Sequence, residues 1–158
     1  TMLLSQIFSP DRIIVNLESE DKDEAFEELV NQLVVSIPGT NRQAVLNSLW
    51  EREEKMSTGI KRGIAVPHGR TNAVEGVKAV LGISKKGIDY ESLDGGPVYI
   101  LFMLLFSPKA AEQCLKVLRS LAYLLDDHAF YEQLTAQKSP EGVYSCICKF
   151  EEMLLGDN

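Results

Sequence analysis

The sequence predicts an α/β fold, with a mixed parallel and antiparallel sheet flanked by helices on both faces. Three observations point there. Strand-like runs alternate with helical runs and hairpins along the whole chain. One run, Val98 to Phe106 (VYILFMLLF), is apolar without a break, as suits a central strand covered on both faces. Short turn signals separate the elements, with no Ser/Gly linker and no internal repeat. The length, 158 residues, suits one domain, expected over residues 2–158. Thr1 before Met2 reads as a cloning remnant and is set aside.

The elements follow in order. Arg12 to Leu17 (RIIVNL) is β-branched and strand-like. Asp21 with Glu24 three residues on forms a capping-box pattern that opens a helix. Phe26, Leu29, Val30, Leu33, Val34 and Ile37 keep helical spacing along it. Pro38-Gly39 stops that helix, and Asn41 caps a second one carrying Val45, Leu46, Leu49 and Trp50. Residues 57–70 (STGIKRGIAVPHGR) then read as a loop around a short strand-like Ile64-Ala65-Val66. Val77 to Ser84 reads as a strand, Lys85-Lys86-Gly87 as its turn, and Leu93 to Pro97 as a second turn. Pro108 ends the apolar strand. The next helix is expected to bury Ala111, Leu115, Leu118, Ala122 and Leu125. A shorter helical piece covers about 128–136. Ser139-Pro140 opens a last helix through Leu155.

Charge and composition exclude several classes. Sixteen basic residues against 23 acidic ones give a formal net charge of −7, which argues against nucleic acid and anionic membrane surfaces. The longest apolar run is about half the ~20 residues of a membrane span, so no membrane insertion is expected. The N-terminus has no basic stretch leading into a long apolar one, so no signal peptide is expected. Cys114, Cys146 and Cys148 are an odd set, read as reduced thiols in a cytoplasmic protein. Cys146-Ile147-Cys148 lacks the CxxC spacing of zinc or redox sites, and the chain has two His, so no metal site is expected.

The chemistry concentrates in 57–70. These fourteen positions hold three glycines, one proline, two hydroxyls and three basic groups. His68 follows Val66-Pro67, where the proline ring stiffens the approach, and precedes Gly69-Arg70. An imidazole that is neutral near pH 7 can attack a phosphoryl group through one ring nitrogen. The phosphoryl oxygens then need cations and short donors. Arg52, Ser57, Thr58, Gly59 and Arg70 are of the right kinds. An ordinary loop histidine among turn residues remains the alternative. The glycine-rich stretch is not a Walker loop, and no GxSxG elbow is present. His128 reads as a solvated or capping side chain. The acidic residues from Glu18 to Glu28 read as a solvated helix face. Glu51, Glu53 and Glu54 read the same way, though one could orient an arginine.

Arg52-Glu53, Ser57-Thr58-Gly59 and Gly63-Ile64-Ala65-Val66-Pro67-His68-Gly69-Arg70 together resemble the fructose/mannitol-type enzyme IIA of the bacterial phosphoenolpyruvate-dependent phosphotransferase system. The resemblance runs over nearly the whole chain. It implies a mixed sheet flanked by helices and no metal or organic cofactor. It implies a phosphocarrier: His68 would accept a phosphoryl group, usually on Nε2, from HPr or a nitrogen-type paralogue. An enzyme IIB cysteine would take it onward, or a regulated target protein would read it as a signal. Arg52 matches an arginine thought to stabilise the phosphoryl charge.

One position departs from the family pattern. Where the family commonly has a second active-site histidine, this sequence has Cys114, at the start of Cys114-Leu115-Lys116-Val117-Leu118. A thiol is a weak donor and holds no fixed positive charge. Cys114 is thus either a contact of the phosphoryl site or an inert packed thiol. The departure leaves an alternative open, a regulatory protein-binding module with reduced or lost phosphotransfer. The 158 residues hold no enzyme IIB, membrane IIC or HPr-like segment, which resembles the free-standing nitrogen-regulatory subgroup.

Overall fold

A computed structural model describes residues 3–156; Thr1, read as a remnant, lies outside them. The chain forms α1 (Leu3–Ile7), a 3-10 turn (Pro10–Arg12), β1 (Ile13–Ile14), α2 (Lys22–Ser36) and α3 (Arg42–Glu53). Four strands follow, β2 (Gly59–Lys61), β3 (Ile64–Ala65), β4 (His68–Arg70) and β5 (Val77–Ile88). The rest is β6 (Val98–Phe106), a 3-10 turn (Pro108–Ala110), α4 (Ala111–Leu125), α5 (His128–Ala136) and α6 (Pro140–Leu155).

The helix starts follow from their caps. Asp21 accepts the Glu24 amide at 2.9 Å, Asn41 the Ala44 amide at 3.1 Å, and Ser139 the Gly142 amide at 3.0 Å. The return bond of the capping box goes one residue further back: Glu24 accepts the Glu20 amide at 2.8 Å.

The sheet runs β1-β5-β6-β3-β2, and β4 also pairs with β6. β5 and β6 are antiparallel, while β1 lies parallel to β5. β3 and β4 both lie parallel to β6, end to end along it with a break at Val66-Pro67, and β2 pairs outside β3. Along β6 the side chains alternate between two cores, as a strand's two-residue period requires. Ile100, Phe102 and Leu104 face a core with α1, α4, α5 and α6. Leu101, Met103 and Leu105 face a core with α2 and α3. The expected mixed sheet between helical layers is what forms.

Several local expectations change. The strand at 12–17 shrinks to Ile13–Ile14, because the turn from Pro10 takes Arg12. Arg12 instead spends its guanidinium on the Ala79 and Ile7 carbonyls and on Ser36. Lys85-Lys86-Gly87 is no turn. It is an irregularity inside β5, where pairing with β6 skips from Ile83 to Ile88 and Gly87 adopts φ +92°. The stretch 57–70 is not a plain loop but three short strands. Arg62 and Gly63, at φ 57° and 79°, make a tight two-residue turn between β2 and β3.

The buried stripe of α4 is shifted by one residue. Cys114, Val117, Leu121 and Leu124 are buried, while Leu115 is 47% exposed. Both stripes have helical spacing, and the packing on the sheet selects one. The acidic run is also more than a solvated face. Glu28 accepts the amides of Glu18 and Ser19 and the Ser19 hydroxyl, which pins the segment before α2. No helix among the described residues is long and apolar enough to cross a membrane.

Candidate functional site

His68 opens β4, opposite Leu104 of β6. The Leu104 amide donates to the Pro67 carbonyl at 2.9 Å, so the strand edge stays paired past the proline. The imidazole is half-buried, and its Nδ1 lies 2.8 Å from the Val66 carbonyl oxygen. A carbonyl can only accept, so Nδ1 carries the proton and Nε2 is left with the lone pair. Burial lowers the pKa of this ring, and the Arg52 charge lowers it further. The Val66 bond and the Glu53 charge act the other way. His68 is therefore held neutral, the form with a nucleophilic nitrogen.

The ring opens on a cavity of about 520 Å³. One side carries Arg52, Ser57 and Thr58, and the β2–β3 hairpin adds Lys61 and Arg62. The opposite wall is apolar and comes from Leu118, Leu121, Ala122 and Leu125 of α4. Three of these four were expected in the core, yet they line the site. A basic and apolar cavity on an acidic chain is suited to a group carrying negative charge.

Arg52 sits in the last turn of α3, with Nη1 donating to the Met56 carbonyl at 2.8 Å. The helix comes close to β4 because Gly69 has no side chain. A Cβ there would lie 2.8 Å from the main-chain carbon of Ser48. His68 and Arg52 are thus brought together by a glycine contact between strand and helix.

The other expected residues divide. Ser57 lines the cavity and accepts the Gly59 amide at 3.2 Å. That amide is thereby spent, and the lack of a Gly59 side chain serves packing against Tyr90 and Ser92. Thr58 also borders the cavity, but its amide and hydroxyl both donate to Glu53, at 2.8 and 2.6 Å. Arg70 is exposed on β4 and does not line the cavity. Cys114 does not line it either. It is 2% exposed within the core of α1, α4, α5 and α6, and burial pushes its thiol up to about 11. Of the two readings of Cys114, the packed thiol is the one that fits, because α4 turns that face to the sheet. His128 is exposed and pairs with Glu132 at 3.0 Å.

Glu53 is the residue that sequence reading placed wrongly. It is 5% exposed and fully bonded rather than part of a solvated face. The signal was present: Leu46, Leu49 and Glu53 follow helical spacing, so the carboxylate continues the buried stripe of α3.

A mixed sheet flanked by helices is the fold of the phosphotransferase-system enzymes IIA. Residues 6–149 match the family described as Phosphoenolpyruvate-dependent sugar phosphotransferase system, EIIA 2, and the chain belongs to that family. It is 33% identical over 145 residues to a nitrogen regulatory protein of Pseudomonas aeruginosa, covering 91% of this chain and 94% of that one. It is 34% identical over 146 residues to the fructose-specific EIIABC component of Bacillus subtilis, covering 92% of this chain but only 23% of that protein. The crystal structure of nitrogen regulatory protein IIA-Ntr from Neisseria meningitidis superposes with a TM-score of 0.84 at 29% identity, covering 92% of this chain and 99% of that one. The mannitol enzyme IIA of Escherichia coli, solved in complex with its phosphorylated enzyme IIB, shares the fold with a TM-score of 0.74 at 21% identity, covering 90% of this chain and 97% of that one.

Proposed function

We propose that His68 is the phosphoryl acceptor of this enzyme IIA and that Arg52 neutralises the bound group. The observation that carries the reading is the bond from His68 Nδ1 to the Val66 carbonyl, which reserves Nε2 for attack. The Nε2 lone pair forms the new N–P bond as the donor's own bond to phosphorus breaks and its electron pair returns to the donor. Nδ1 keeps its proton throughout. Arg52 offers a fixed planar cation, and Ser57 offers a hydroxyl. The donor is HPr or a nitrogen-type paralogue, and the apolar wall on α4 with the basic hairpin supports a protein surface as the donor. The onward acceptor is an enzyme IIB thiol or a regulated target protein.

The similarity to nitrogen regulatory proteins over nearly their whole length favours a regulatory output. Phosphate on His68 changes the local charge by up to about two units, enough to make or break an interface. Cys114 does not weigh against transfer, since its thiol is packed in the core. Three free cysteines support a reducing cytoplasm as the working compartment.

The test is intact-mass measurement after incubation with phosphoenolpyruvate, enzyme I and HPr, beside His68→Ala. One acid-labile phosphate on the parent and none on the variant is expected. No uptake from any competent donor, or unchanged uptake by the variant, sinks the assignment.

A further inference from the structure

Glu53 follows Arg52 at the end of α3, and a carboxylate this enclosed must find donors for its oxygens. It draws them from three other segments. The Thr58 amide donates to Oε2 at 2.8 Å and the Thr58 hydroxyl to Oε1 at 2.6 Å. The Lys22 ammonium, from the first turn of α2, lies 3.1 Å from Oε2 and also 4.7 Å over the Tyr90 ring. The Tyr90 hydroxyl donates to Oε1 at 3.1 Å and lies 2.7 Å from Thr58 Oγ1. Tyr90 has no exposed surface, and burial, then the Glu53 charge, keep its phenol protonated.

These bonds continue to the imidazole. The Thr58 carbonyl accepts the Val66 amide at 3.1 Å. The Val66 carbonyl in turn accepts from His68 Nδ1 at 2.8 Å. A single path of hydrogen bonds thus runs from Glu53 through Thr58 and Val66 to the ring, while Glu53 is also the chain neighbour of Arg52. The carboxylate thus reaches the ring through bonds, while the Arg52 guanidinium is held separately by the Met56 carbonyl.

We propose that Glu53 is a positioning residue, acting through Thr58 and Val66 to fix the His68 ring and its Nδ1–H form opposite Arg52. Its consequence for phosphoryl transfer rests on the reading of His68 as the acceptor. Its consequence for the ring does not.

The test therefore has two readouts on Glu53→Gln. The first is the ring-nitrogen NMR spectrum of His68 across pH, which needs no donor. The charged groups that act on the ring are Arg52 and Glu53. In the variant the ring should become a mixture of both neutral tautomers, and its titration midpoint should fall, since a nearby negative charge is gone. The second readout is phosphoryl uptake from HPr. Its maximal rate should drop about tenfold or more, with the KM for HPr within about twofold, because orientation and not docking is lost. Tyr90→Phe, which removes one donor but leaves the Glu53 charge, should shift the tautomer mixture and the rate the same way by less and leave the midpoint in place.

An unchanged tautomer, midpoint and rate in folded Glu53→Gln overturns the proposal. If that variant does not fold, the double variant Lys22→Met/Tyr90→Phe decides, and an unchanged His68 spectrum there overturns it equally. If the parent protein takes up no phosphate, the acceptor reading fails, and the spectra still decide the role of Glu53.

Discussion

His68 Nδ1 and the Val66 carbonyl oxygen are 2.8 Å apart, two residues from each other along the chain. Pro67 lies between them, and its ring fixes the backbone on the approach to His68. Ring orientation, tautomer and nucleophilic atom all follow from the contact with Val66.

The pH dependence has a definite sign. Burial, with the Arg52 charge added, holds the His68 pKa below its ordinary value near 6.5. Phosphoryl uptake should be flat above about pH 7, and its acid limb should lie below 6.5. Unfolding frees the ring to take a proton at its ordinary pKa. This group therefore costs stability as pH falls through about 6.5, and the cost levels off below the folded pKa. Urea denaturation at pH 8 and pH 5.5 should show this loss in the parent and less of it in His68→Gln. An acid limb above 6.5 contradicts the burial argument.

Cys114 should behave as core. With its thiol pushed up to about 11 by burial, it should resist iodoacetamide at pH 8 while half-exposed Cys148 is modified. Cys114→Ser should cost about 1–3 kcal/mol in chemical denaturation, the penalty of a poorly bonded hydroxyl in an apolar site. Phosphoryl uptake should stay within about twofold, as expected for a separate site. Rapid labelling of native Cys114, mapped by peptide mass, would place the thiol at the cavity after all.

Gly69 should tolerate no side chain. A Cβ would come within 2.8 Å of the Ser48 backbone and push α3 off β4. Gly69→Ala should lose about 1–3 kcal/mol by overpacking. Because α3 carries Arg52, uptake should fall more than tenfold, by the usual cost of misplacing a catalytic group by about 1 Å. A melting temperature and uptake rate equal to the parent's would show that helix and strand are not in contact there.

Much of this molecule is legible locally. Asp21, Asn41 and Ser139 cap their helices because a cap bond spans only three residues. The unbroken apolar run of β6 has nowhere to sit but between two helical layers. Lys85-Lys86-Gly87 misleads because two lysines and a glycine make equally good turn and bulge residues, and only the partner strand tells them apart. Arg62-Gly63 is the reverse case, a hairpin turn hidden in a stretch that looks like loop throughout.

The fold class, the caps and the central strand were legible in the chain alone. Those follow from forces that act over a few residues: capping bonds, proline and glycine geometry, and apolar period. Packing between elements selected which stripe of α4 is buried, put Cys114 in the core, and enclosed Glu53 by Lys22, Thr58 and Tyr90. Each depends on which surfaces meet, and burial is a property of two packed faces rather than of either one alone.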